Sequence, residues 1–72
     1  MKAILNFYND PRLSEMQEVV KGDLVKANQP ATEFNLTKDK EYEVLAVNSI
    51  DLITIKNDKD KIDIYSVEYF YI

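Results

Sequence analysis

The chain has 72 residues, 46% hydrophobic and 31% charged, which indicates one small folded domain and not a disordered segment. It contains no cysteine and no histidine, so disulfides and Cys/His zinc sites are excluded, and a general base near neutral pH would need a strongly perturbed Lys, Asp or Glu. Thirteen acidic against nine basic residues give a net charge of −4, which disfavours general binding to phosphate backbones. We therefore expect neither an enzyme nor a cofactor, and regard nucleic acid as an unfavoured partner.

The sequence shows no targeting or membrane-spanning segment. After Lys2 only residues 3–5 are apolar before Asn6, which is far short of a signal peptide. The longest apolar run, residues 44–47, cannot cross a bilayer. We expect a cytoplasmic protein without membrane contact. A domain of this size has a modest core, so association with a second copy is left open as a further source of burial.

Residues 1–21 are predicted to be an N-terminal extension. Residues 2–8 alternate in a way that is typical of a strand, and the following Asp10-Pro11 favours a turn or the start of a short helix. Leu13, Met16 and Val20 would share one face of that helix, while residues 19–20 could equally begin a strand.

Residues 22–72 are predicted to form a small all-β barrel. Gly22, the only glycine, indicates a turn with positive φ before a strand over residues 24–27. A polar loop over residues 28–33 and a turn over residues 37–40 lead into the next strand.

Three short strands then follow in close succession. They are expected over residues 41–47, 52–56 and 61–65, and the polar run at 57–60 predicts a hairpin because Asn and Asp tolerate left-handed backbone. A single helical turn over residues 66–68 and a terminal strand over 69–72 complete the chain.

This order, strand, loop, strand, two hairpins, helical turn and last strand, resembles that of Src-homology-3-like barrels. Residues 33–45, reading EFNLTKDKEYEVL, are similar to the diverging-turn segment of those domains, and residues 56–58 resemble their distal hairpin. Residues 64–66 followed by Tyr69-Phe70 look like the segment around their short helical turn. The chain also resembles small barrel proteins of Gram-positive bacteria and phages. The resemblance implies a five-stranded barrel with an N-terminal strand and short-helix extension.

The departures from that family concern its peptide groove. Residues 52–53, Leu-Ile, stand where the family has a tryptophan pair, Tyr65 replaces the proline of the helical turn, and the first strand reads Leu-Val-Lys-Ala. A groove for polyproline helices needs flat aromatic walls. Recognition of proline-rich motifs is therefore not expected.

Two acidic patterns could suggest chemistry, but both are better explained as solvated surface. Asp58, Asp60 and Asp63 form a D-x-D-x-x-D run that lacks the glycine and the glutamate of an EF-hand loop. Glu41 and Glu43 share one strand face, and nothing in the sequence indicates a pocket that would separate their pKa values.

The C-terminal tyrosines are the strongest candidates for binding. Leu52, Tyr65, Tyr69 and Tyr71 could form a face for a protein partner, since tyrosine is enriched at interfaces. The alternative is that this segment closes the barrel against the strand of residues 2–8. We thus expect a non-catalytic interaction module, phage or prophage encoded.

Two other functions are left open by the sequence. One is a nucleic-acid-associated barrel of the Tudor or Sm-like kind, in which Lys21, Lys26 and Lys56 act with stacking tyrosines. The other is an acidic mimic of nucleic acid, which requires the carboxylates to cluster on one face.

Overall fold

A computed structural model describes residues 1–7 and 17–72. All regular structure in these residues consists of β-strands and two 3₁₀ turns, so the predicted all-β class is confirmed. The strands are β1 (Ala3–Ile4), β2 (Glu18–Val19), β3 (Leu24–Ala27), β4 (Glu41–Glu43), β5 (Ala46–Ser49), β6 (Leu52–Lys56), β7 (Ile62–Ser66) and β8 (Phe70–Tyr71). The 3₁₀ turns are Pro30–Phe34 and Val67–Tyr69. No helix within the described residues is long and apolar enough to cross a membrane.

The described strands form three small antiparallel sheets and no closed barrel. One sheet has the order β4-β3-β8, the second has the order β5-β6-β7, and β1 and β2 form a two-stranded ribbon. A single parallel bridge, between Ala27 and Lys38, lies outside these strands. The turn predicted at Gly22 is confirmed, with φ of 97° at this residue.

The N-terminal ribbon shares its core with the rest of the chain. The strand expected over residues 2–8 is only two residues long, because the amide of Phe7 turns back to donate to the carbonyl of Ile4 at 3.1 Å. The amide of Ile4 donates to the carbonyl of Ile50 at 2.8 Å, which ties β1 to the turn between β5 and β6. The helix expected from residue 10 falls mostly on residues outside the described ones. Of the alternative strand, expected to begin at residues 19–20, only Val19 is in a strand, as the last residue of β2.

The strand expected over residues 41–47 is in fact two strands in different sheets. Val44 pairs with the residue just before β3, since its amide donates to the carbonyl of Asp23 at 2.8 Å. The amide of Leu45 instead donates to the carbonyl of Thr54 at 2.8 Å. The chain therefore changes its pairing partner between two successive residues, which an alternating pattern cannot reveal.

The hairpin predicted at residues 57–60 joins β6 to β7. The amide of Asn57 donates to the carbonyl of Lys61 at 2.9 Å, and Asp60 has φ of 60°, in the left-handed region that aspartate tolerates. The helical turn expected over residues 66–68 is the 3₁₀ turn Val67–Tyr69.

The last strand pairs with β3 and not with the N-terminal strand. Tyr71 lies opposite Lys26 and Phe70 opposite Ala27. Closure of the C-terminal segment against residues 2–8 was therefore the wrong pairing. Phe70, at 2% exposure, enters the core beside Ile53, Ile55 and Val67. Each such side chain stabilises the fold by about 1.5–3 kcal/mol through burial.

Candidate interaction cleft

A cleft of about 290 Å³ opens between the loop before β4 and the outer strand β7. Glu33, Phe34 and Asn35 line one side of this cleft. Residues 63–66 of β7 line the other side, and Tyr69 lies beside Phe34. We call this site, defined by these residues, the Phe34–Tyr69 cleft.

Two aromatic rings form its apolar wall. The ring centroids of Phe34 and Tyr69 lie 5.0 Å apart at an interplanar angle of 50°, within the range of favourable aromatic pairs. Phe34 is 43% exposed and Tyr69 is half-buried. Phe34 therefore presents apolar surface to solvent, whereas Tyr69 is half-buried and also packs against the core.

Hydrogen bonds from β7 and the hairpin hold Phe34 in place. The hydroxyl of Tyr65 donates to the carbonyl of Phe34 at 2.7 Å and accepts from the Asn57 side-chain amide at 3.2 Å. The carboxamide oxygen of Asn57 accepts in turn from the amides of Lys59 and Lys61, at 2.9 and 3.1 Å. Because Tyr65 and Asn57 are buried, this arrangement is shielded from water and rigid.

A second set of bonds attaches the loop to the C-terminal 3₁₀ turn. The Asn28 side chain donates to the carbonyl of Glu68 at 2.7 Å, and the Asn28 amide donates to the carbonyl of Tyr69 at 3.0 Å. Asn35 ends the first 3₁₀ turn in a left-handed conformation, and its carbonyl accepts from the amide of Asp58 at 2.9 Å. The loop is thus fixed at both ends by hydrogen bonds within the protein.

The charge around the cleft is negative. Partial burial, followed by the charges of Glu68 and Glu33, raises the pKa of Tyr69 above its ordinary value. Asp63 adds a carboxylate on the β7 side. Among the described residues that line the cleft, none is a lysine or an arginine. A cation would therefore meet both carboxylates and ring faces here.

The four residues predicted to form a binding face have different surroundings. Tyr69 lies in the cleft. Tyr65 is only 7% exposed and supports the cleft mainly through its hydroxyl. Tyr71 is on β8, where its hydroxyl donates to the Asp39 carboxylate and this bond raises the pKa of Tyr71. Leu52, 36% exposed, lies opposite Ser66 at the other end of β6 from the hairpin.

Sequence reasoning missed Glu33, Phe34 and Asp63 as members of this site. Glu33 and Phe34 were assigned only to the segment that resembles a diverging turn, and no binding role was predicted for either. Asp63 was read as part of a solvated hairpin tip. The available signal was Tyr65, a large aromatic residue that breaks the alternation of Ile62 and Ile64 and shares its face of β7 with Asp63.

The acidic D-x-D-x-x-D run does not form a metal site. Asp58 accepts hydrogen bonds from the Thr37 hydroxyl at 2.6 Å, the Lys40 ammonium at 2.8 Å and the Tyr42 hydroxyl at 2.8 Å. The bonds from Lys40 and then Thr37 lower the pKa of Asp58. We call these four residues the Asp58 cluster. No group of three or more acidic side chains within the described residues is arranged to hold a metal ion.

The lysines of the nucleic-acid alternative lie on different elements. Lys26 is on β3 opposite Glu41, and Lys56 is at the end of β6, 3.7 Å from the Asp60 carboxylate. A second cleft, of about 340 Å³, is lined by Lys40 and Lys56 together with Glu41, Glu43 and Asp60 among others. Because its charges are mixed, this second cleft favours neither an anionic nor a cationic ligand.

No family model, curated protein or solved structure matches the chain.

Proposed function

We propose that the protein is a non-catalytic protein-interaction module that binds its partner through the Phe34–Tyr69 cleft. The observation that carries the proposal is the packed pair of Phe34, which is exposed, and Tyr69, which is half-buried. An aromatic pair costs little conformational entropy when a partner covers it, because its side chains have few rotatable bonds and are already positioned. Aromatic anchors of this kind supply most of the energy in many interfaces.

The composition supports a binding role without catalysis. The chain lacks histidine and cysteine, and among the described residues that line the cleft none is a base that would prepare its carboxylates for proton transfer. We further propose that the architecture is an open, Src-homology-3-like small barrel with an N-terminal extension, of the kind found in Gram-positive bacteria and phages, and that it acts in the cytoplasm. In support, the elements from β3 onward follow the order of that family: strand, loop, strand, two hairpins, 3₁₀ turn and last strand.

The test compares the wild-type chain with Phe34→Ala as affinity baits in host extract, followed by binding assays with each purified candidate partner. A partner of the cleft is retained by the wild type and binds Phe34→Ala about tenfold more weakly or worse, as expected for an anchor residue. Leu24→Ala is the matched control, because Leu24 is also an exposed apolar residue, at 54%, but lies on β3.

Two results would overturn the proposal. One is a purified partner that binds wild type and Phe34→Ala equally well. The other is salt-sensitive binding to labelled oligonucleotides that survives Phe34→Ala, which would favour the nucleic-acid alternative.

A further inference from the structure

Among the described residues, no strand pairs with the outer edge of β7, which runs along the cleft. Successive residues of an antiparallel strand direct their backbone groups alternately toward and away from the neighbouring strand. The pairs Asn57 with Lys61 and Asp51 with Val67 are joined by backbone hydrogen bonds, so by alternation Tyr65 and Asp63 also bond to β6. Ile62, Ile64 and Ser66 therefore direct their backbone groups away from β6.

One of these outward amides is occupied by a side chain. The amide of Ile64 donates to the carboxylate of Asp63 at 2.8 Å. Asp63 lies opposite Ile55 and on the sheet face of Tyr65, so it is a charged residue on the inner side of an edge strand. Such charges discourage unselective pairing of strand edges. Within the described chain, no other hydrogen bond reaches the outward backbone groups of residues 62, 64 and 66.

From this geometry we infer that the cleft and the β7 edge together bind an extended peptide segment that carries a lysine or arginine. This inference rests on the proposed interaction function and names its ligand class. The backbone of the segment pairs with Ile64 and Ser66 as an added strand. Its cationic side chain lies against the rings of Phe34 and Tyr69, near Glu33.

Asp63 makes the site selective for a cation. A backbone carbonyl of the bound segment accepts the hydrogen bond of the Ile64 amide in place of Asp63. The Asp63 carboxylate is thereby released from this bond. A neutral segment leaves that carboxylate without a partner, whereas a lysine or arginine pairs with it. The hydrogen bond that is lost is thus replaced by two, one to the backbone and one to the cation.

The probe for this inference is a phage-displayed library of random nine-residue peptides, selected on the full-length chain. We expect enrichment of peptides with lysine or arginine at one fixed position in an alternating, extended context. Addition of an enriched peptide to ¹⁵N-labelled protein should shift the amides of Ile64, Ser66 and Phe34 most. Enrichment of proline-rich, acidic or wholly apolar peptides, or of none, contradicts the inference.

Two substitutions of Asp63 separate its two roles. Asp63→Asn keeps an oxygen for the Ile64 amide but loses the charge, so the enriched basic peptide should bind about tenfold more weakly. Asp63→Ala also frees the Ile64 amide, so a variant of that peptide with norleucine in place of the basic residue should bind more tightly than it does to wild type. Equal binding of the basic peptide to wild type and Asp63→Asn would refute the role of Asp63 in selecting a cation.

The failure of this inference is distinguishable from the failure of the proposed function. If a purified partner depends on Phe34 but no peptide is enriched, the cleft binds a folded surface and only the peptide inference fails. If neither a purified partner nor an enriched peptide depends on Phe34 for binding, the proposed function and the peptide inference both fail. Sedimentation velocity tests whether a second copy of the chain occupies the β7 edge. A dimer of the wild type that Ile64→Arg abolishes would assign the edge to a second copy and overturn the peptide inference.

Discussion

The Asp58 cluster and the Phe34–Tyr69 cleft both combine aromatic rings with carboxylates, yet they differ in what is left unpaired. In the Asp58 cluster the carboxylate accepts three side-chain hydrogen bonds, and the Tyr42 hydroxyl also accepts from the amide of Thr37 at 2.8 Å. In the cleft, Phe34 is 43% exposed and Tyr69 is only half-buried. The difference teaches that the same residue types stabilise a fold where they are mutually satisfied and are available for binding where they are not.

The largest expected effect is on the Asp58 cluster. Asp58→Ala removes the acceptor for Thr37, Lys40 and the buried Tyr42 hydroxyl, so the free energy of unfolding should fall by about 2–3 kcal/mol. Urea denaturation measures this loss. Glu43→Ala, an exposed carboxylate on β4, is the control and should change stability by less than about 0.5 kcal/mol. Similar losses for both variants would remove the contrast between the two regions.

The same cluster predicts a pH dependence. Because the pKa of Asp58 is lowered in the folded state, its stabilising contribution is present above the ordinary carboxyl pKa of about 3.9 and is lost as the pH falls through the lower folded value. The stability difference between wild type and Asp58→Asn should be constant above about pH 5 and shrink below about pH 4. A difference that does not change down to about pH 2 would show that the charge of Asp58 is irrelevant.

Tyr65→Phe tests the link between the core and the cleft. The substitution keeps the ring but removes the hydroxyl that holds the Phe34 carbonyl and accepts from the buried Asn57. Stability should fall by about 1–2 kcal/mol, measured by thermal or urea unfolding. The NMR signals of the Phe34 ring should shift as well, because the loop loses an attachment. Unchanged Phe34 signals would mean that the other bonds to the loop suffice.

The smallest effect on stability is expected in the cleft itself. Phe34→Ala removes a side chain that is 43% exposed and packs on the ring of Tyr69, so the free energy of unfolding should change by less than about 1 kcal/mol. The measurement is urea denaturation alongside Asp58→Ala. A loss as large as that of Asp58→Ala would make Phe34 a structural residue and remove the distinction between the regions.

Much of the local structure of this chain could be predicted from the sequence. Gly22 predicted a turn with positive φ, and the polar run before β7 predicted a hairpin, because both depend on the backbone freedom of individual residues. The alternation of β6 correctly indicated a strand whose Ile53 and Ile55 are buried.

Pairing and exposure could not be predicted in the same way. The residue types around Val44 and Leu45 do not indicate that the chain passes from one sheet to another at this point. The predicted binding face was based on residue type, and it combined Tyr65, which is buried, with Tyr69, which is not. Which tyrosine faces solvent depends on contacts between distant segments, such as the bond from Asn28 to the carbonyl of Glu68, 40 residues further along the chain.

The sequence by itself determined the all-β class, the turns and the lack of histidine and cysteine, because these follow from composition and from local backbone preferences. Only the tertiary structure decided that Phe34 and Tyr69 form one wall and that Asp63 occupies the amide of Ile64 at an open strand edge. The physical reason is that a site depends on contacts between distant segments and on the groups that those contacts leave unpaired, and neither is encoded in a local pattern.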